Sequence, residues 1–217
     1  MESILANTLD IFNKHSGWIV WNLFLAFIPL VLSIWLFRWR RHRSSRSLIW
    51  WFGFICYLAF LPNAPYLLTD IIHLIGAIRA NYSIWIITLV FFPLHLSAIA
   101  LGGEAYVISL INQSYYLKKI GYKKYIFWTE LLTHFLSAIG IYLGRFLRFN
   151  SWDIITQPDI LFTSSINKLT QQTPLLVIFI TFAILTVFYL LMKQVTLGLI
   201  LRLRQIMSDN THFRIKD

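Results

Sequence analysis

Three groups of residues in this sequence have the types and spacing to do chemistry. In the first, the run Pro62, Asn63, Ala64, Pro65, Tyr66 is followed by Asp70 and His73. Two prolines this close break a helix, because proline lacks an amide proton and biases the residue before it away from helical backbone. A helix restarted at Pro65 would set Tyr66, Asp70 and His73 at i, i+4 and i+7, along one face. A carboxylate and an imidazole so placed can share a proton, bind a polar substrate group or contribute to a divalent-metal site. They are too few to define a metal site alone. A structural alternative stands beside this, in which Thr69 or Asp70 caps a short interfacial helix and His73 faces the headgroups.

The second group is Glu104, directly after Gly102 and Gly103 in a long apolar run. A charged side chain at membrane depth costs about 2.5 kcal/mol or more on insertion scales, so this carboxyl must be neutral, paired or wet. The glycines let another backbone come close or let the helix unwind. A functional carboxyl and a protonated one bonded to a neighbouring helix both fit.

The third group is Glu130, His134, Ser137, Arg145 and Arg148, which fall within about a 100° sector of a helix. Such a stripe faces a bundle interior. Glu130 and His134, with Glu104, form a candidate proton-carrying or anchoring cluster. Arg145 and Arg148 emerge at the other end, near Asp153 and within reach of Asp70 or His73. Arginines beside a helix break can bind a phosphate, a carboxylate or a lipid headgroup, and they can equally form structural ion pairs. The ligand-binding candidates are therefore Asn63, Tyr66, Asp70, His73, Arg145, Arg148 and Asp153. The intramembrane polar candidates are Glu104, Glu130 and His134. His95, half a turn from Glu104, reads as a hydrogen-bonded interior histidine outside that group.

The elements that must position these residues are transmembrane helices. Of the 217 residues, 58% are hydrophobic and 13% charged, about half the charged share of a soluble domain. Of five apolar segments, 17–37, 47–61, 84–111, 125–147 and 174–192, four approach or exceed the roughly 20 residues that a span requires, and the second is short for a perpendicular span and ends at Pro62 and Pro65. The expected fold is an all-α bundle of about five spans in one integral membrane domain, 1–217, with the N-terminus outside and the C-terminus cytoplasmic. That orientation puts fourteen of the nineteen Lys and Arg residues on the cytoplasmic side, as the positive-inside rule requires. All nine tryptophans fall near span ends, at headgroup level. The net charge of +10 is thereby explained by topology and points to no nucleic acid. Lys193 to Arg204 is expected to continue as a basic helix along the inner surface, and a short surface helix is expected over 160–169. The first fourteen residues carry no basic region of a signal peptide. The single cysteine, Cys56, excludes an intrachain disulfide.

No phosphate loop, dinucleotide fingerprint, zincin helix or nucleophile elbow is present, and no internal repeat suggests an inverted-repeat transporter. Neither a cofactor nor a metal is assigned. The run 62–74, the triplet Gly102, Gly103, Glu104, and Gly144, Arg145, Phe146 with Arg148, Asn150, Ser151, Trp152 and Asp153 together resemble the domain of unknown function 1361 family of bacterial membrane proteins. The resemblance implies a bacterial cell membrane and a multi-pass helical fold, and supplies no activity or catalytic residue. Three functions fit the sequence. The chain binds or transports a polar or anionic ligand, a lipid headgroup or an envelope precursor, at an outward-facing site; it is a membrane-embedded enzyme acting on a lipid-linked substrate; or it is a structural or assembly subunit without a small ligand.

Overall fold

Hydrocarbon offers the backbone no hydrogen-bond partner, so a chain this apolar satisfies its own amides in helices. The computed structural model describes residues 2–39, 47–80, 82–147, 156, 159 and 172–214, and among these there is no strand. Five helical stretches are long and apolar enough to cross a membrane: Gly17–Trp39, Leu48–Gly76, Ile84–Lys119, Lys123–Phe146 and Thr173–Ser208. The all-α bundle expected from the sequence is what forms.

We label the helices α1 (Glu2–Ser33), α2 (Leu48–Phe60), α3 (Asn63–Tyr66), α4 (Ile71–Arg79), α5 (Ile84–Ile86), α6 (Phe92–Lys119), α7 (Ile126–Phe146) and α8 (Gln172–Arg214). Wide π-helical turns follow α1 at Ile34–Trp39 and precede α6 at Ile87–Phe91. The last span does not stop at the membrane: α8 has 43 residues, about 64 Å at 1.5 Å per residue, against roughly 30 Å of hydrocarbon. The basic segment after Lys193 is thus continuous with the fifth span. Arg148, Asp153 and the short helix expected over 160–169 lie outside the described residues.

The polarity of the bundle is inverted relative to a soluble protein. Large apolar side chains such as Val20, Val31, Phe179 and Leu191 are exposed, whereas Ser33, Asp70, His95, Asn112, Glu130, His134 and Ser137 are buried. An apolar exterior suits lipid, and a buried polar group must then find partners within the bundle. Near the end of α1, for example, Arg38 Nε donates to Asn112 Oδ1 at 2.7 Å and Asn112 Nδ2 donates to Ser33 Oγ at 3.0 Å, joining the first and third spans. The turn between α6 and α7 is closed by Gly121, whose φ of 93° favours glycine. Its amide donates to Lys118 O and that of Tyr122 to Leu117 O, a Schellman end.

The second span is where the fold departs from regular helix. It turns at Leu61 and Pro62, resumes as α3, tightens to a 3₁₀ turn over Leu67–Asp70 and continues as α4. The sequence reading ended this span at Leu61; the helical path instead runs through the prolines to Gly76. The broken segment is wedged between α6 and α7 by glycines. A Cβ on Gly102 would fall 2.7 Å from Ala64 O, and one on Gly140 would fall 2.5 Å from Pro62 Cγ. Of the glycine pair, Gly102 admits the second span and Gly103 the Phe188 ring of α8.

These contacts predict that Gly102→Ala and Gly140→Ala each destabilise the protein by about 1–3 kcal/mol, the usual cost of overpacking. Gly76→Ala, whose Cβ meets nothing within 4 Å, should stay within about 0.5 kcal/mol of wild type. Thermal unfolding in detergent checks the contrast, and equal losses at Gly102 and Gly76 would refute the wedge.

Candidate functional site

Two polar clusters stand apart from the apolar packing. The first is built on the broken second span. Tyr66, Thr69 and Asp70, spaced three and four residues apart, share one face of the restarted segment and turn it to one neighbour, Arg145 near the end of α7. Arg145 Nη2 lies 2.7 Å from Asp70 Oδ1 in an ion pair and 2.7 Å from Thr69 Oγ1, while its Nε donates to the same hydroxyl at 3.1 Å. Its guanidinium carbon sits 4.6 Å from the centre of the Tyr66 ring, in cation–π range. The other Asp70 oxygen, Oδ2, accepts from Asn22 Nδ2 of α1 at 3.4 Å. The Asp70 side chain is 3% exposed and that of Arg145 18%, so the acid is sealed and the base is partly open.

His73 reaches the first span. Its ring lies 4.4 Å from that of Trp18 on α1, one turn before Asn22, and Trp18 also approaches His95 of α6 at 5.7 Å. Of the i, i+4, i+7 face expected for Tyr66, Asp70 and His73, Tyr66 and Asp70 both meet Arg145, while the His73 ring lies against Trp18. The alternative of a helix cap is not met either: Asp70 precedes α4 without a side-chain cap bond, and the Thr69 hydroxyl donates back to Tyr66 O at 2.6 Å. Asn63 Nδ2 donates to Phe60 O at 3.0 Å, bridging the helix break.

The second cluster centres on Glu130 of α7. Its Oε1 accepts from Ser114 Oγ at 2.7 Å, Tyr189 OH at 2.7 Å and Lys193 Nζ at 2.6 Å, tying α7 to α6 and α8. One turn on, His134 Nδ1 lies 2.8 Å from the buried Tyr106 hydroxyl, and the imidazole is 4.7 Å from the Tyr189 ring. Tyr106 also reaches Ser137 at 3.4 Å. The stripe on the fourth span therefore faces the interior. Glu104 is separate from this cluster: both its oxygens accept from Thr196 of α8, at 2.9 and 3.1 Å. It bonds across the interface between α6 and α8.

The sequence reading singled out neither Asn22 and Trp18 nor Tyr106, Tyr189, Lys193 and Thr196 as site residues. Asn22 carried a signal, a lone amide in an apolar span. The tyrosines and Thr196 carried none, and Lys193 had been counted only for topology. Among the described residues no group of three or more His, Cys, Asp or Glu side chains is placed to hold a metal ion.

A family model described as a protein of unknown function, DUF1361, matches residues 21–187. No curated protein and no solved structure matches the chain. The matched span contains the whole first cluster, from Asn22 to Arg145, whereas Lys193 and Thr196 lie beyond it.

The Glu130 cluster predicts an asymmetric mutational response. Glu130→Ala leaves the Lys193 cation and two hydroxyls without their acceptor and should cost about 3 kcal/mol, the lower end for breaking a buried pair, because Lys193 is partly exposed. Glu130→Ala combined with Lys193→Met should recover much of that loss. Unfolding of the wild type and the two variants in detergent tests this, and a double variant no better than the single would contradict the pairing.

Proposed function

Because the chain belongs to the DUF1361 family, whose description names no activity, its function has to be read from its own side chains, and we propose that it binds a polar or anionic ligand at one end of the bundle. The carrying observation is Arg145. A guanidinium gripped along its Nε and Nη2 edge by Thr69 and Asp70, and laid over Tyr66, keeps the rest of its fork in a fixed orientation. Such a preorganised, partly open arginine suits a phosphate or carboxylate, which it meets with little further loss of entropy. The distribution of basic residues puts this end outside, where a lipid headgroup or an envelope precursor is the natural ligand. We take the chain as one integral domain of a bacterial cell membrane. Asn63, His73, Arg148 and Asp153 remain candidates for the same site. Binding alone and transport both fit.

A structural reading has its own support. Both Asp70 oxygens are already bonded, so the pair fastens the second, fourth and first spans whether or not a ligand comes. The same saturation weakens Asp70 as a general base and counts against the enzyme reading.

Two substitutions separate the readings. After reconstitution with phospholipid vesicles and gentle detergent extraction, native mass spectrometry should find phospholipid retained by the wild type. In Arg145→Gln, retention should fall at least about tenfold, the effect of losing a charge-assisted hydrogen bond. Asp70→Asn removes the competing carboxylate and should retain lipid at least as well as wild type. If both variants melt lower while retention is unchanged, the structural reading stands and the ligand reading fails.

A further inference from the structure

His95 has a consequence of its own. It is 2% exposed, and its Nδ1 lies 2.8 Å from the carbonyl oxygen of Phe91. A carbonyl only accepts, so Nδ1 carries the proton and, in the neutral ring, Nε2 presents a lone pair. That Nε2 is buried and has no hydrogen-bond partner among the described residues. A buried polar atom left unpaired costs roughly 1–3 kcal/mol, and native structures rarely keep one without a use.

The surroundings make it more than an isolated lapse. Backbone carbonyls that fix Nδ1–H are the usual means of aiming Nε2 at a ligand. The carbonyl in question belongs to the last residue of the π-helical turn Ile87–Phe91, an irregularity frequent at functional sites. The ring approaches Trp18, which also lies against the exposed His73 in a tilted arrangement, so α1, α4 and α6 meet here. One turn along α1 from Trp18, Asn22 holds Asp70, the partner of Arg145. His95 and Arg145 are thus linked through neighbouring residues of one helix, Trp18 and Asn22 of α1.

We infer that His95 Nε2 accepts a hydrogen bond from a hydroxyl or ammonium group of the ligand whose anionic part is held by Arg145. This rests on the ligand-binding reading for the identity of the ligand, and adds a requirement to it: a donor as well as an anion. A metal ion is a poorer fit, because the Trp18 ring lies against both imidazoles and among the described residues no set of ligating side chains completes a site.

The test uses the full chain, labelled with ¹⁵N-histidine, in lipid nanodiscs of three compositions. Phosphatidylcholine carries a phosphate but no headgroup donor; phosphatidylethanolamine adds an ammonium, and phosphatidylglycerol adds hydroxyls. His95→Gln identifies the resonance among the six histidines. Should that variant fail to fold, replacing the other five one at a time identifies it by elimination. The Nε2 resonance is expected to move upfield in one or both donor-bearing lipids relative to phosphatidylcholine, and which lipid moves it separates ammonium from hydroxyl. If only ethanolamine phosphate or glycerol phosphate added to phosphatidylcholine discs moves it, the ligand is soluble rather than lipid. An identical resonance in every sample, as a bound water would give, overturns the inference. Loss of Arg145-dependent phosphate retention is a separate result: it would sink the anion reading while leaving the Nε2 shift measurable.

Discussion

An ion pair between the second and fourth spans, Asp70 with Arg145, sets the terms for the rest of this structure. Hydrocarbon has no water to solvate either member, so each must be delivered to the other by its helix. The second span presents Tyr66, Thr69 and Asp70, three and four residues apart, on one face. The prolines break it just before that face, and Gly102 and Gly140 remove the bulk that would hold the broken segment away from its neighbours. Asn22 of the first span then takes the second carboxylate oxygen. Proline, glycine and asparagine placements that look unrelated in the sequence thus serve one electrostatic requirement.

The Glu130 cluster solves the same problem with different means. Three donors from α6 and α8 converge on a single carboxylate oxygen, and no helix break is needed because the acid already lies on the interior stripe of α7. Between them the two clusters connect all five spans. Buried ion pairs are weak sources of net stability, since desolvation offsets much of the attraction. Their effect is on uniqueness: a helix rotated about its axis would strand a charge in lipid, so the rotational setting of each span is selected even though apolar packing alone would tolerate several.

This division explains what was legible in the sequence. Span number, helical class and the interior stripe of the fourth span follow from composition and from periodicity along one helix, and those are local properties. The pairing of Arg145 with Asp70 appeared among the alternatives because both sit near the same end of their spans. Which residues on different helices meet was much harder to read. Glu104 and Glu130 share a depth by counting, yet one bonds Thr196 and the other Lys193, because helix rotation and tilt decide the partner. The contact of His73 with Trp18 of the first span is of the same kind, set by how two helices meet and not by periodicity along one.

Synthesis runs from the first span to the last, and the two acids are not equally served by that order. Asp70 meets its cation when the fourth span is made, but Glu130 waits for Lys193, sixty-three residues further along the chain. Until then a carboxyl on the fourth helix lacks its cation, in a membrane already holding four spans. The fifth helix is therefore the closing element of the bundle: its arrival supplies the cation that the acid of the fourth helix lacks.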